Sequence, residues 1–111
     1  MKILITGSSG QLGTELLSQL EIFKKSNNLK IISPSKKELN FLDLQYCEDY
    51  VKDLAPDILI NLAAYTAVDK AENDVSNAQK INALALKSFS YALKNCGGHI
   101  IQISTDYVFN G

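Results

Sequence analysis

The sequence has few of the residues that mark secreted or nucleic-acid-binding proteins. Of its 111 residues only two are cysteines, and Cys47 and Cys96 stand too far apart for a CxxC or zinc-ligand pattern. Both fall in segments that we expect to be helical, where a reduced cysteine behaves as a small apolar residue, as suits a reducing compartment. The net charge is −1 and there is no basic stripe, so nucleic-acid binding has little electrostatic support.

Long apolar runs are absent as well. No run approaches the ~20 residues of a membrane span, and Met1-Lys2 leads straight into a short apolar strand without an apolar leader. We therefore expect a cytoplasmic protein that binds neither membrane nor nucleic acid. At 111 residues and 46% hydrophobic, the chain has the size of one ordinary domain, residues 1–111.

Short apolar runs alternate with helical periodicity along the whole chain. The pattern predicts strands at residues 2–6, 29–33, 40–44, 57–64 and 99–104, of which 40–44 is the weakest. A first helix runs from Gln11 to about Lys25, and a second is stopped by Pro56. A third, long helix carries a buried stripe: Ala78, Ile81, Ala85, Phe89 and Ala92. Strands that alternate with helices indicate an α/β protein whose parallel sheet is covered on both faces.

A glycine-rich string, GSSGQLG, follows the first strand and opens the first helix. Gly7 permits a tight turn with positive φ, Gly10 lets backbone N–H groups approach a phosphate, and Gly13 allows close packing of the helix. The neighbouring Gln11 and Leu12 lie at the helix N-terminus, where unpaired N–H groups attract anions. The string predicts a dinucleotide-binding, Rossmann-type doubly wound sheet with strand order 3-2-1-4-5 and three αβα layers. A glycine-rich turn without a ligand is the alternative.

The choice between NAD and NADP is expected to depend on the end of the second strand. A carboxylate about 20 residues past the glycines would favour NAD by binding the ribose 2′-OH. Residues 33–37 read SPSKK, with no acid and with Lys36 and Lys37. The stretch favours NADP(H) or use of both nicotinamides, although loop lysines are usually solvated.

Three strings together resemble one family. The glycine spacing GxxGxxG is similar to that of extended short-chain dehydrogenases/reductases. NLAAYTAVDKAE at residues 61–72 and STDYVF at residues 104–109 resemble the dTDP-4-dehydrorhamnose reductases in particular. The resemblance covers residues 1–111. It implies hydride transfer from NAD(P)H to the C4 ketone of dTDP-4-dehydro-L-rhamnose, giving dTDP-L-rhamnose.

The resemblance also implies roles for residues at the strand ends. Ala63, Ala64 and Thr66 would line the cofactor, and the small side chains would let it lie against the strand. Thr105 would hydrogen-bond the sugar carbonyl, with Asp106 assisting at the same place. A positioned donor stabilises the negative charge that develops on a ketone oxygen receiving hydride. Without the resemblance, the hydroxyl of Thr105 would be an ordinary strand-end group.

Four further positions match the family, and two of them, Asp43 and Glu15, also have a simpler structural interpretation. Asp43 and Leu44 stand where relatives contact the adenine, but Asp43 would equally serve as a helix N-cap. Glu15 matches a position implicated in Mg²⁺-bridged homodimers, yet a solvated surface acid is the simpler interpretation. Asn82 matches an asparagine that ties the helix to the active-site strand in relatives.

The catalytic pair of the family, Tyr-x-x-x-Lys, does not occur in the sequence. None of the five tyrosines is followed by lysine four residues later. We therefore expect the 111-residue chain by itself to be inactive, and the dTDP-sugar to be a substrate of a longer protein. The alternative is a non-catalytic protein on the same scaffold, since the methionine adenosyltransferase regulatory subunit resembles these reductases. A Tyr-x-x-x-Lys further along the reading frame would favour the enzyme.

Overall fold

The structure, a computed structural model, describes residues 1–8, 10–62 and 75–102, without the side chains of residues 25, 26 and 75–79. Strands and helices alternate as the sequence predicts. In chain order they are β1 (Lys2–Thr6), α1 (Gln11–Asn27), β2 (Lys30–Ile32), α2 (Leu44–Leu54), β3 (Ile58–Asn61), α3 (Val75–Cys96) and β4 (His99–Gln102). In this part of the chain, no helix is long and apolar enough to span a bilayer.

The four strands form one parallel sheet with the order β2-β1-β3-β4. Chain order and spatial order differ because the chain crosses over from β2 to the far side of β1 before it forms β3. The helix that follows β1 lies on one face of the sheet and the helix that follows β3 lies on the other. The carboxyl ends of two such neighbouring strands form a switch point, which is where doubly wound sheets bind ligands. The predicted fold class is confirmed.

The sheet is covered on both faces because its strands are aliphatic and their side chains alternate between the faces. Ile3 and Ile5 of β1 face α1, where Leu16, Leu17 and Leu20 pack against them. On the opposite face, α2 and α3 pack on a second cluster: Leu4, Leu39, Cys47, Val51, Leu59, Ala85, Phe89, Ala92 and Leu93. Three layers result, α1, the sheet, and the pair α2 and α3.

The predicted helix stripes are largely buried. Ala85, Phe89 and Ala92 of α3 have no exposed surface, and the ring of Phe89 meets that of Phe41 edge-on at 5.3 Å. The side chain of Ala78 lies outside the described residues. Cys47 is fully buried under α3, and burial, reinforced by the charge of Asp43, raises the pKa of its thiol to about 11. Cys47 is thus a core residue, as the sequence predicts.

The prediction of a strand at residues 40–44 is wrong. Asn40 Oδ1 accepts the N–H of Leu42, and its carbonyl accepts the N–H of Asp43. Asp43 in turn caps α2, which begins at Leu44. Asparagine and aspartate offer the backbone local partners in this way, and these compete with pairing to a neighbouring strand. The segment is a turn that enters a helix, so the described sheet has four strands and lacks the predicted third.

Candidate functional site

The glycine-rich turn joins the carboxyl end of β1 to the first turn of α1. Gly7 adopts φ of 75°, the left-handed conformation predicted for it and costly for residues with a Cβ. Leu62, just beyond β3, donates its N–H to the carbonyl of Thr6 at 2.8 Å. The turn therefore lies directly beside the end of β3, at the switch point of the sheet.

The N-terminus of α1 is suited to an anion. Gly10 is its N-cap in an extended conformation and supplies no side-chain hydrogen bond, and the first turn contains no acidic residue. The backbone N–H and the hydroxyl of Thr14 both donate to the Gly10 carbonyl at 3.0 Å, which closes the first turn. The N–H groups of the first turn have no partner within a helix, and the helix dipole adds partial positive charge there. Gln11 and Leu12 are exposed on this turn.

Position 13 requires glycine because a side chain there would have no room. It is buried in α1, and a Cβ built on it would overlap the backbone of Ser8, with the Ser8 carbonyl carbon at 2.6 Å. The sequence predicts packing of the helix on the strand at this position, whereas the contact is with the turn that follows the strand. The absence of a side chain lets the loop fold back onto the helix, which holds the turn in shape.

A polar row crosses the sheet at its carboxyl end. Thr6, Asn61 and Gln102 lie in register as the last residues of β1, β3 and β4. The hydroxyl of Thr6 donates to Asn61 Oδ1 at 2.7 Å, and Asn61 Nδ2 donates to Gln102 Oε1 at 2.8 Å. Sequence reasoning did not find this row. The signal was a polar residue directly after the aliphatic residues of each of the three strands.

The segment after β2 contains a feature that the sequence analysis also missed. Ser35 donates its N–H to Glu38 Oε1 at 3.0 Å, and Glu38 donates its N–H to Ser35 Oγ at 3.3 Å. The hydrogen bond from the Ser35 backbone, and after it one from the Ser35 side chain, lowers the pKa of the Glu38 carboxyl. The reciprocal pair is a capping box, whose S-x-x-E signature is readable in the sequence. Lys36 and Lys37 between them are exposed.

The other predicted site residues divide into two groups. Asp43 is the N-cap of α2, because its Oδ1 accepts the N–H of Tyr46 at 3.1 Å, and the half-buried Leu44 packs against the core of α2 and α3. Their contact with adenine stays a prediction. The second group lies outside the described residues: Ala63, Ala64, Thr66, Thr105 and Asp106.

Two positions named from the family have clear surroundings. Asn82 of α3 is buried, with 7% of its surface exposed. Glu15 is exposed on α1. Among the residues that the structure describes, no three His, Cys, Asp or Glu side chains are grouped to hold a metal ion, so Mg²⁺ at Glu15 gains no support.

Comparison with known proteins decides the family. The family model described as "RmlD substrate binding domain" matches residues 1–111. The chain belongs to this family. The matched residues include the glycine turn and the strings at 61–72 and 104–109, from which the sequence analysis predicts the same relationship.

Several proteins with similar sequences and folds are dTDP-4-dehydrorhamnose reductases. The dTDP-4-dehydrorhamnose reductase of Burkholderia thailandensis is 38% identical over 111 residues, all of this chain and 36% of that protein. The crystal structure of a dTDP-4-dehydrorhamnose reductase from Clostridium acetobutylicum matches with a TM-score of 0.78 and 41% identity, over 100% of this chain and 38% of that one. A Bacillus anthracis reductase solved in complex with NADP matches with a TM-score of 0.75 and 36% identity, over 96% of this chain and 37% of that one. The chain thus spans little more than a third of the length of these relatives.

Proposed function

We propose that the full-length protein is an NAD(P)H-dependent dTDP-4-dehydrorhamnose reductase and that residues 1–111 form its dinucleotide-binding part. The observation that carries the proposal is the glycine turn, at the switch point of the sheet, in a chain 36% identical to a reductase solved with NADP. The reaction is reduction of the C4 ketone of dTDP-4-dehydro-L-rhamnose to dTDP-L-rhamnose. We place it in the cytoplasm, with a dTDP-sugar as the substrate.

In the proposed reaction, the residues of this chain bind the cofactor and orient the substrate ketone. The N-terminus of α1 and the backbone of the turn from Gly7 to Gly13 hold the pyrophosphate. Ala63, Ala64 and Thr66, which follow β3 in the chain, line the cofactor, and Asp43 and Leu44 contact the adenine. The cofactor supplies the hydride when it is bound. Thr105 donates a hydrogen bond to the ketone oxygen as negative charge develops there, which lowers the barrier.

NADP(H) is the proposed preference. The sequence contains no arginine, so a 2′-phosphate would meet lysine ammonium groups, and Lys36 and Lys37 are exposed just past β2. Glu38, the nearest acid, has its carboxylate turned back onto the N–H of Ser35. A carboxylate held in that way is less suited to bind a ribose 2′-OH, the contact that favours NAD.

The test is a reductase assay of the full-length protein with NADPH and dTDP-4-dehydro-L-rhamnose. We expect turnover in the wild type and a loss of about 100-fold or more in kcat for Thr105→Val, because an oxyanion donor typically contributes 10²–10³ in rate. Thr105→Ser keeps the hydroxyl and is the matched control. NADPH binding without any turnover would favour the non-catalytic alternative, and a Thr105→Val variant within about threefold of wild type would remove Thr105 from the mechanism.

A further inference from the structure

The carboxyl end of the sheet changes from aliphatic to polar in one step along three strands. An aliphatic row lies in register in the core under α2 and α3: Leu4, Leu59 and Ile100. Two residues further along each strand, and on the same face because side chains alternate, stand Thr6, Asn61 and Gln102. The change occurs where the three strands approach the candidate site.

The stability of the sheet alone does not explain this polar row. Thr6 and Asn61 are 1% and 0% exposed. Burying a hydroxyl and an amide is unfavourable, and their hydrogen bonds roughly offset that, whereas aliphatic side chains there would need no partners. The two hydrogen bonds restrict the orientation of the Asn61 amide, since Asn61 accepts from Thr6 and donates to Gln102. Each bond adds a side-chain link between two strand ends that are also neighbours in the sheet register.

Each strand end leads into a segment with a role in the proposed function. Gly7 of the phosphate-binding turn directly follows β1. Residues 63–64, which line the cofactor in the proposal, begin two residues beyond β3. Thr105 stands three residues beyond β4. Among the residues that the structure describes, the polar row is therefore the side-chain link nearest to the segments that carry the proposed roles.

We propose that Thr6, Asn61 and Gln102 form a positioning relay, which holds the three strand ends at a fixed relative placement so that nicotinamide and substrate carbonyl meet in the reactive geometry. The inference rests on the proposed function. The three residues touch neither substrate nor reacting atoms and act through the segments that follow them. A misplacement of about 1 Å costs about 100-fold in rate. The affinity for a cofactor held by many contacts depends much less on such a shift. The relay thus predicts a loss in kcat with little change in the KM for NADPH.

The first test compares two variants of the full-length protein. Thr6→Val has the same shape but removes the donor to Asn61, whereas Thr6→Ser keeps a hydroxyl. We expect kcat of Thr6→Val to fall by about tenfold or more while its KM for NADPH stays within about twofold. Thr6→Ser should be close to wild type in both. A Thr6→Val variant with wild-type kcat, or a Thr6→Ser variant that loses as much, would overturn the relay.

A triple variant separates positioning from stability. Thr6→Val, Asn61→Leu and Gln102→Met together replace the whole row by apolar groups, a change that is nearly neutral for stability when both partners of a hydrogen bond are removed. We expect a melting temperature near that of the wild type and a kcat that stays at least about tenfold low. Recovery of kcat in this variant would show that the loss in Thr6→Val comes from the buried amide left without its donor and not from lost positioning. Failure to fold would contradict the premise that stability does not require the row, and either result would overturn the relay.

The proposed function and the relay fail in different ways. A wild-type protein without reductase activity refutes the function, and the relay with it. An active wild type whose Thr6→Val and triple variants keep their kcat refutes the relay and leaves the function in place.

Discussion

At the scale of single residues, the glycines of the chain are needed for two different physical reasons. Gly7 and Gly97 adopt φ of 75° and 74°, a conformation that is unfavourable for residues with a Cβ. Gly97 has nothing near the position of a Cβ, whereas Gly13 lacks positive φ and is instead crowded by Ser8. Substitutions at Gly97 and Gly13 can therefore test the effect of backbone conformation and the effect of steric crowding separately.

We expect Gly13→Ala to weaken NADPH binding by about tenfold or more, because overpacking costs about 1–3 kcal/mol and the strain falls on the turn itself. Gly97→Ala is the matched control. It should lower the free energy of unfolding by about 1 kcal/mol through its φ and leave the affinity for NADPH unchanged. Fluorescence titration with NADPH and thermal unfolding of the full-length variants measure both quantities. Equal affinity in Gly13→Ala and wild type would separate the turn from the cofactor.

Cofactor preference is also a property of single residues. The double variant Lys36→Ala and Lys37→Ala should raise the KM for NADPH by about tenfold, equivalent to about 1.4 kcal/mol, with little effect on NADH. Lys30→Ala removes one positive charge at the amino end of β2, away from the candidate site, and should change neither value. The measurement is the ratio of kcat/KM for the two nicotinamides. An unaltered ratio in the double variant would show that the two lysines are solvated and do not contact the 2′-phosphate.

At the scale of secondary-structure elements, the strongly patterned segments are predictable and the short polar ones are not. β1, β3 and β4 were predictable because each contains consecutive aliphatic residues, and α3 was predictable because its apolar residues recur at helical spacing. The turn before α2 was mistaken for a strand because Phe41, Leu42 and Leu44 suggest one. Asn40 and Asp43 decide otherwise through local hydrogen bonds. The sequence does not show which hydrogen-bond partner such a polar side chain takes, because that depends on the local backbone geometry.

The same reasoning explains why half of the site was predictable. The glycine turn has a sequence signature because its glycines lie close together in the chain, and each is needed for a local reason such as positive φ or close packing. The polar row has only a polar residue at the end of each strand as its signal. That signal does not show that Thr6, Asn61 and Gln102 meet, because they lie 55 and 41 residues apart and are brought together by the register of the sheet. Long-range pairing of that kind is fixed by topology, which no local pattern contains.

Asp43 joins the element scale to the site, since it caps α2 and matches an adenine-contacting position. Asp43→Ala should lower the free energy of unfolding by about 1 kcal/mol through loss of the cap. Asp43→Ser keeps an N-cap oxygen and should retain stability, yet lose about fivefold in NADPH affinity if the carboxylate contacts the cofactor, as we expect. Thermal unfolding and NADPH titration of both variants decide between the roles. Full affinity in Asp43→Ser would leave Asp43 as a cap only.

At the scale of the whole molecule, the two edges of the described sheet differ. On one side, β2 is three residues long and begins with the exposed Lys30, features that discourage pairing with another chain. On the other, β4 pairs only with β3 within the described residues, and Ile101 is 47% exposed. Within the described residues, the β4 edge thus combines backbone groups that pair with no second strand with an exposed apolar side chain, the combination that recruits further strands.

Residues 1–111 produced as a separate chain should therefore associate through β4 and show no reductase activity. We expect light scattering that rises with protein concentration and falls in Ile101→Lys, because a charge on the strand opposes edge-to-edge pairing. Ile22→Lys is the matched control. Ile22 is 69% exposed, more than Ile101, but lies on α1, whose backbone hydrogen bonds are made within the helix. If exposed apolar surface alone drove association, Ile22→Lys would reduce it at least as much. NADPH should reduce association only by stabilising the folded chain, since it leaves the β4 edge uncovered. A chain that stays monomeric without cofactor would contradict the edge argument, and any turnover would contradict the requirement for the Tyr-x-x-x-Lys pair.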